Sequence, residues 1–213
     1  MKKKVIIPEN ISDISLGQYQ KYFKLSKEIE GKYKGYEVDR EFLDHEIMMS
    51  SIEIFTGLTR KEVQNMQYND MKNISKQIDE ALQVEGEFKH RFKLKDIEFG
   101  LIPNFDKMTA KEFVDLSSYG VEVETLHNVM AILYRPIKDN GKTYTINDYN
   151  GTKGFAKVMK EIPLSYVNGA LGFFLTLQTD LLNHLQKSII AAQRKEKRQD
   201  ILTNGDGMLL SMN

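Results

Sequence analysis

The sequence predicts a mainly α fold of the α+β kind, with about seven helices, two β-hairpins and a long C-terminal helix. Three observations predict it. Apolar residues recur at three- and four-residue steps over most of the chain, the period of one helix face. That period gives way to strict alternation near 88–101, and a second hairpin signal lies near 137–146. Lastly, the segment from Ile162 to Arg198 runs without a proline after Pro163. In it Val167, Leu171, Phe174, Gln178, Leu181, Leu185, Ile189 and Ala192 fall on one face. At full length such a helix is roughly 50 Å long, more than one compact domain needs. Its first part is expected in the core, and its last part is expected to project or to meet another chain.

Taken in order, residues 1–13 read as an extended N-terminal arm. Ser15 with Gln18 has the spacing of a capping box, and the helix that follows carries Leu16, Tyr19, Phe23 and Ile29 on one face. Asp39 opens a second helix with Leu43, Ile47, Ile54 and Phe55 inward, stopped by Gly57. Thr59 with Glu62 marks a short third helix, and Ile74, Ile78 and Leu82 a fourth. In the hairpin near 88–101, Phe88, His90, Phe92 and Leu94 alternate with Lys89, Arg91 and Lys93. Lys95-Asp96 then turns the chain into Ile97, Phe99 and Leu101.

Thr109 and Glu112 form a third box spacing, with Met108 and Phe113 placed as a hydrophobic staple. Phe113 and Leu116 are expected to face inward. A helix is expected over Glu122–Tyr134, closed by Arg135-Pro136. Asn140-Gly141 then sets the hairpin near 137–146, and Thr152–Lys160 is a short helix before the long one. Residues 14–198 thus read as a single helical domain, and 199–213 as a flexible C-terminal tail.

Composition narrows the function. The 213 residues hold 41% apolar side chains, 30 basic and 30 acidic residues, and no cysteine. Neutral balance gives no global sign of a nucleic-acid binder. Lack of cysteine excludes disulfides, cysteine nucleophiles and thiolate metal sites. No uncharged stretch reaches the ~20 residues of a membrane span, and Val5-Ile6-Ile7 before Pro8 is too short for a secretory core.

No motif carries chemistry. His45, His90, His127 and His184 form no HExxH and no metal-binding pair. Asp200, Asn204 and Asp206 lack the spacing of a calcium loop. The glycine pairs Gly31/Gly35 and Gly151/Gly154 read as turns rather than phosphate loops. Accordingly no catalytic, cofactor-binding or metal residue is assigned, and the chain is expected not to be an enzyme. Basic clusters at Lys2–Lys4, at Lys89, Arg91 and Lys93, and at Arg194, Lys195, Lys197 and Arg198 give weak support for a nucleic-acid contact.

Four segments together resemble a known family: ENISDISLGQYQKYFKL, FGLIPNFDKMTAKEFVDLSSY, LHNVMAILYRPI and YNGTKGFAKVMKEIPLSYVNGALGFFLTLQTDLLNHLQK. They are similar to a small virion-associated structural protein of the crAss-like podoviruses, tailed phages of Bacteroidetes. The resemblance covers about residues 5 to 190, and its strings are caps, turns and core positions. It implies a virion protein assembled in the bacterial host cytoplasm. Its partners would be portal, neck or tail components, and a homo-oligomeric ring is one arrangement. Two alternatives stand beside this: a cargo protein stored in the capsid or tail and ejected with the genome, and a non-virion tail-assembly chaperone. An enzyme acting on cell wall or nucleic acid would require a pocket of converging carboxylates. The expected domain makes a first prediction. A chain truncated at Gln193 melts cooperatively in a thermal scan, and loss of that transition would put the helix end in the core.

Overall fold

The computed structural model describes residues 5–34, 39–120, 122–139 and 144–175. Its order is α1 (Leu16–Lys32), α2 (Arg40–Thr56), α3 (Arg60–Gln64), α4 (Tyr68–Leu82), β1 (Arg91–Leu94), β2 (Ile97–Leu101) and α5 (Ala110–Tyr119). There follow α6 (Leu126–Leu133), β3 (Tyr134–Asp139), β4 (Thr145–Ile146), α7 (Ala156–Met159) and α8 from 164 to 170. The fold is mainly α with a small antiparallel sheet, as the periodicities predict. The chain divides into two units between Ala170 and Leu171. In the second, residues 171–175 are helical. The expectations for Gln178 to Ala192, the 194–198 cluster and the 199–213 tail lie outside the described residues. So do Lys2–Lys4 and the Asn140-Gly141 turn.

Helix starts follow the sequence closely. Ser15/Gln18, Thr59/Glu62 and Thr109/Glu112 each form the reciprocal capping box, which satisfies two orphan N–H groups at each helix start. Gly57, at φ 71°, ends α2 in the left-handed region. A fourth box lies inside the expected extended arm. Asn10 and Asp13 cap a 3-10 turn, Ile11–Asp13, and Ile11 is buried.

α1 packs on α2, and α2 on α4. Ile52, Ile54 and Phe55 of α2 are buried, as are Met71, Ile74, Ile78 and Ala81 of α4, and the Phe55 ring lies 5.3 Å from Tyr22 of α1. Ile52, fully buried, is hidden in the sequence between Ser51 and Glu53. The hydroxyls of Ser50 and Ser51 turn back onto the carbonyls of Glu46 (2.8 Å) and Met48 (2.9 Å), which lets a polar pair sit inside. On α1 the buried positions are Leu16 and Gln20, while Tyr19, Phe23 and Ile29 are half-buried. Gln20 Nε2 donates to the Val123 carbonyl at 2.6 Å, replacing its water.

The largest departure from the sequence reading is at Tyr134. A helix was expected through this residue, ending at Arg135-Pro136. Instead a 3-10 turn (Val123–Thr125) leads into α6, and Tyr134 begins β3. Proline disfavours α geometry at the residue before it and favours the extended one. Arg135 is therefore extended, and the strand takes in Tyr134, the last residue of the expected helix. The consequence is one four-stranded sheet in the order β1-β2-β3-β4, all antiparallel. Phe99↔Pro136, Gly100↔Arg135 and Leu101↔Tyr134 join the two hairpins. Phe92 stacks on Phe99 (5.7 Å) and packs at a tilt against Tyr134 (4.9 Å) and Tyr166 of α8 (5.8 Å), so the α8 start lies against the sheet.

Backbone hydrogen bonds hold that start on two sides, and Ser12 Oγ adds one to Ser165 Oγ at 2.9 Å. Leu164 N donates to Ile14 O (2.8 Å), Leu16 N to Ile162 O (2.9 Å) and Gly17 N to Lys160 O (2.7 Å). From the other side Glu87 N donates to Ser165 O (2.9 Å). Here Gly86 and Gly169 let two backbones cross. A Cβ on Gly86 would lie 2.5 Å from Gly169 N and 2.8 Å from Ser165 O. Gly86→Ala is therefore expected to cost about 1–3 kcal/mol through overpacking. Gly31→Ala, in open space within α1, should gain up to about 1 kcal/mol. Urea denaturation of both variants checks the contrast, and equal midpoints would remove the crossing from the account.

Candidate functional site

The most organised polar cluster lies where α5 meets β3. Glu112 is the third residue of α5, and its capping role turns its carboxylate toward the helix start. Oε2 accepts from Thr109 N (2.6 Å) and from Thr109 Oγ1 (2.8 Å). Oε1 is left to meet Arg135 of β3, whose Nη2 is 2.7 Å away. The two side chains are only 4% and 11% exposed. A buried guanidinium requires such a partner, because an isolated buried charge costs several kcal/mol. Arg135 Nε has no hydrogen-bond partner among the described residues.

Tyr149 closes the cluster. Its ring lies 5.8 Å from the Arg135 guanidinium and 5.6 Å from Lys111 Nζ, within cation–π range. Its hydroxyl donates to Asp115 Oδ2 at 2.7 Å. Burial, then the Asp115 carboxylate that accepts its proton, push the Tyr149 hydroxyl well above the usual phenol range. Tyr119 Oη lies 3.2 Å from Thr152 Oγ1, one turn further along α5. Beside this network is a cavity of about 320 Å³, lined by Arg135, Lys138, Asp148, Tyr149, Asn150 and Phe155 among others. Arg135 is neutralised by Glu112, and Asp148 offsets Lys138, so the lining carries no net preference for either sign of ligand.

On α5 Leu116 is buried as expected, but Phe113 is not. The inner face of the helix is Glu112, Asp115, Leu116 and Tyr119. Phe113, expected inward, is 63% exposed, and Val114 is 58% exposed. Turning Phe113 in would carry Glu112 out, and would strand Arg135 without its anion. The apolar pair is thus held on the surface by the cluster behind it. The box at Glu112 is legible from its spacing. The pairing with Arg135 is not, because it depends on β3 lying beside α5.

The other candidates are ordinary. His127 Nδ1 sits 3.1 Å from Gln20 Nε2, and burial, with Lys160 nearby, pushes its imidazole below the usual range. His45 and His90 lie against Tyr68 and Phe88 at 5.8 and 4.7 Å. His184 lies outside the described residues. The basic strip is paired off, Lys89 with Glu87, Arg91 with Glu98 (3.0 Å) and Lys93 with Asp96 (3.9 Å). This weakens its case as a phosphate-binding surface. Gly151 precedes a 3-10 turn, Thr152–Gly154, and Gly154 is its last residue. Among the described residues no group of three or more His, Asp or Glu could hold a metal ion. None of their helices is long and apolar enough to cross a membrane.

No family model, curated protein or solved structure matches the chain.

The ion pair can be tested by a double-mutant cycle. Glu112→Ala should cost about 3–5 kcal/mol, since it leaves a buried guanidinium unpaired and removes a cap. Arg135→Met alone should cost less, because Glu112 keeps its Thr109 bonds. The double variant Glu112→Ala/Arg135→Met should be less destabilised than the sum of the two single changes. Additive single effects would mean the two side chains are not coupled.

Proposed function

We propose that the protein is a non-enzymatic component of a tailed-phage virion, placed in the portal, neck or tail region and working by packing against other proteins. One observation carries the packing part of this reading. A capped helix, pinned from behind by a buried ion pair, presents Phe113 and Val114 to solvent. Apolar and aromatic side chains on a rigid surface are typical of interface centres. The virion part rests on the resemblance of the four segments quoted above.

Quantitative mass spectrometry of purified particles, before and after genome ejection, tests it. A fixed integer copy number in both samples is the expected result. Presence before and loss after would mean ejected cargo instead. Absence from both would replace the virion reading with an assembly chaperone.

A further inference from the structure

One wall of the cavity beside Arg135 is a stretch without secondary structure. Asp148, Tyr149, Asn150 and Gly151 all line that cavity. None of the four makes a backbone–backbone hydrogen bond among the described residues. Backbone bonding stops at Asn147 N, which donates to Pro136 O at 2.9 Å. It resumes in the next turn, where Phe155 N donates to Thr152 O at 3.1 Å. Gly151, at φ 95°, supplies at the far end a backbone geometry that other residues rarely adopt.

Side chains hold this stretch instead, and the hold is concentrated in Tyr149. Its hydroxyl donates to Asp115 Oδ2 at 2.7 Å, and its ring lies against Arg135 and Lys111. Asp148 and Asn150 on either side of it are exposed. Thr152, just past the stretch, is buried and anchored separately by Tyr119 Oη at 3.2 Å. The segment therefore has fixed ends and one latch, a hydrogen bond to a carboxylate that is stronger than a neutral one. Ala131 of α6 lines the same cavity and is only 3% exposed, so solvent scarcely reaches it with the latch closed.

We propose that residues 148–151 form a strap that swings off the cavity when the Tyr149–Asp115 hydrogen bond opens, while the sheet, α5 and α6 stay folded. A segment with few backbone bonds of its own can open locally, at lower cost than the whole domain. Nothing in this rests on the virion reading above. The chain has no cysteine, so a thiol introduced by substitution is its only one. Ala131→Cys reports the cavity. Val129→Cys, fully buried on the same helix and away from the cavity lining, reports global unfolding. Val114→Cys, on the exposed surface, reports the unhindered rate. Each full-length variant is labelled with iodoacetamide in low urea, with and without Tyr149→Phe, which keeps the ring and removes the donor. Ala131→Cys should react about tenfold or more faster than Val129→Cys, and its rate should stay flat in low urea while that of Val129→Cys climbs. Tyr149→Phe should speed Ala131→Cys by about tenfold or more. Equal rates and equal urea dependence at the two buried thiols would overturn the proposal, because the cavity would then open only by global unfolding. So would an Ala131→Cys rate equal to that of Val114→Cys, which means no closed strap, or one that Tyr149→Phe leaves unchanged, which means no latch at Tyr149.

Discussion

The carboxylate of Glu112 ties a helix to a strand. One oxygen completes the Thr109 cap and so fixes where α5 begins. The other neutralises Arg135, the residue through which β3 pairs with Gly100 of β2. Without that anion a guanidinium would stand nearly dry inside the fold. Everything on α5 then follows from the 3.6-residue period. Asp115, Leu116 and Tyr119 share the inner face with Glu112, so Phe113 and Val114 have only the outer one. A buried ion pair is weak support for stability as such. Here it sets the rotation of the helix, and therefore which side chains reach solvent.

The sheet shows the same dependence of local structure on a distant partner. β3 exists because β2 is beside it. Tyr134 adds an aromatic contact to Phe92 and donates from its hydroxyl to Lys89 O at 2.7 Å. Burial pushes that hydroxyl far above the usual phenol range, so it remains a donor. Tyr144 binds the rim of the sheet similarly, donating to Leu101 O at 2.8 Å. Two hairpins, each marginal alone, become one sheet with the α8 start against it.

What the sequence made legible was local. Three capping boxes, the Gly57 stop and the Lys95-Asp96 turn depend on residues within a few positions of one another, and all five are in place. Features that depend on a tertiary neighbour were missed, and at Phe113 misread. Gln20 looks like a surface residue until the Val123 carbonyl and His127 come to it. Ile52 is masked by serines whose hydroxyls are satisfied internally. Phe113 follows the usual rule that aromatic residues point inward, and only Arg135 overrides that rule. The candidate interaction face was therefore invisible beforehand, since it arises from a helix rotation that a basic residue on another element imposes.

The pairing of residues 14–17 with 160–164 has a consequence for the history of each molecule. A chain made from its N-terminus has Ser15 and Leu16 ready early, yet the backbone groups they bond to come nearly 150 residues later. Contacts so far apart in sequence close late and slow folding. During synthesis α1 and α2 can associate, but the entrance to α1 stays open until Pro163 and Leu164 arrive. The first residues of the domain are thus among the last to be secured. A nascent chain would hold the Ile14 carbonyl without its Leu164 donor until that residue is made, an interval in which unfinished chains are exposed to wrong partners.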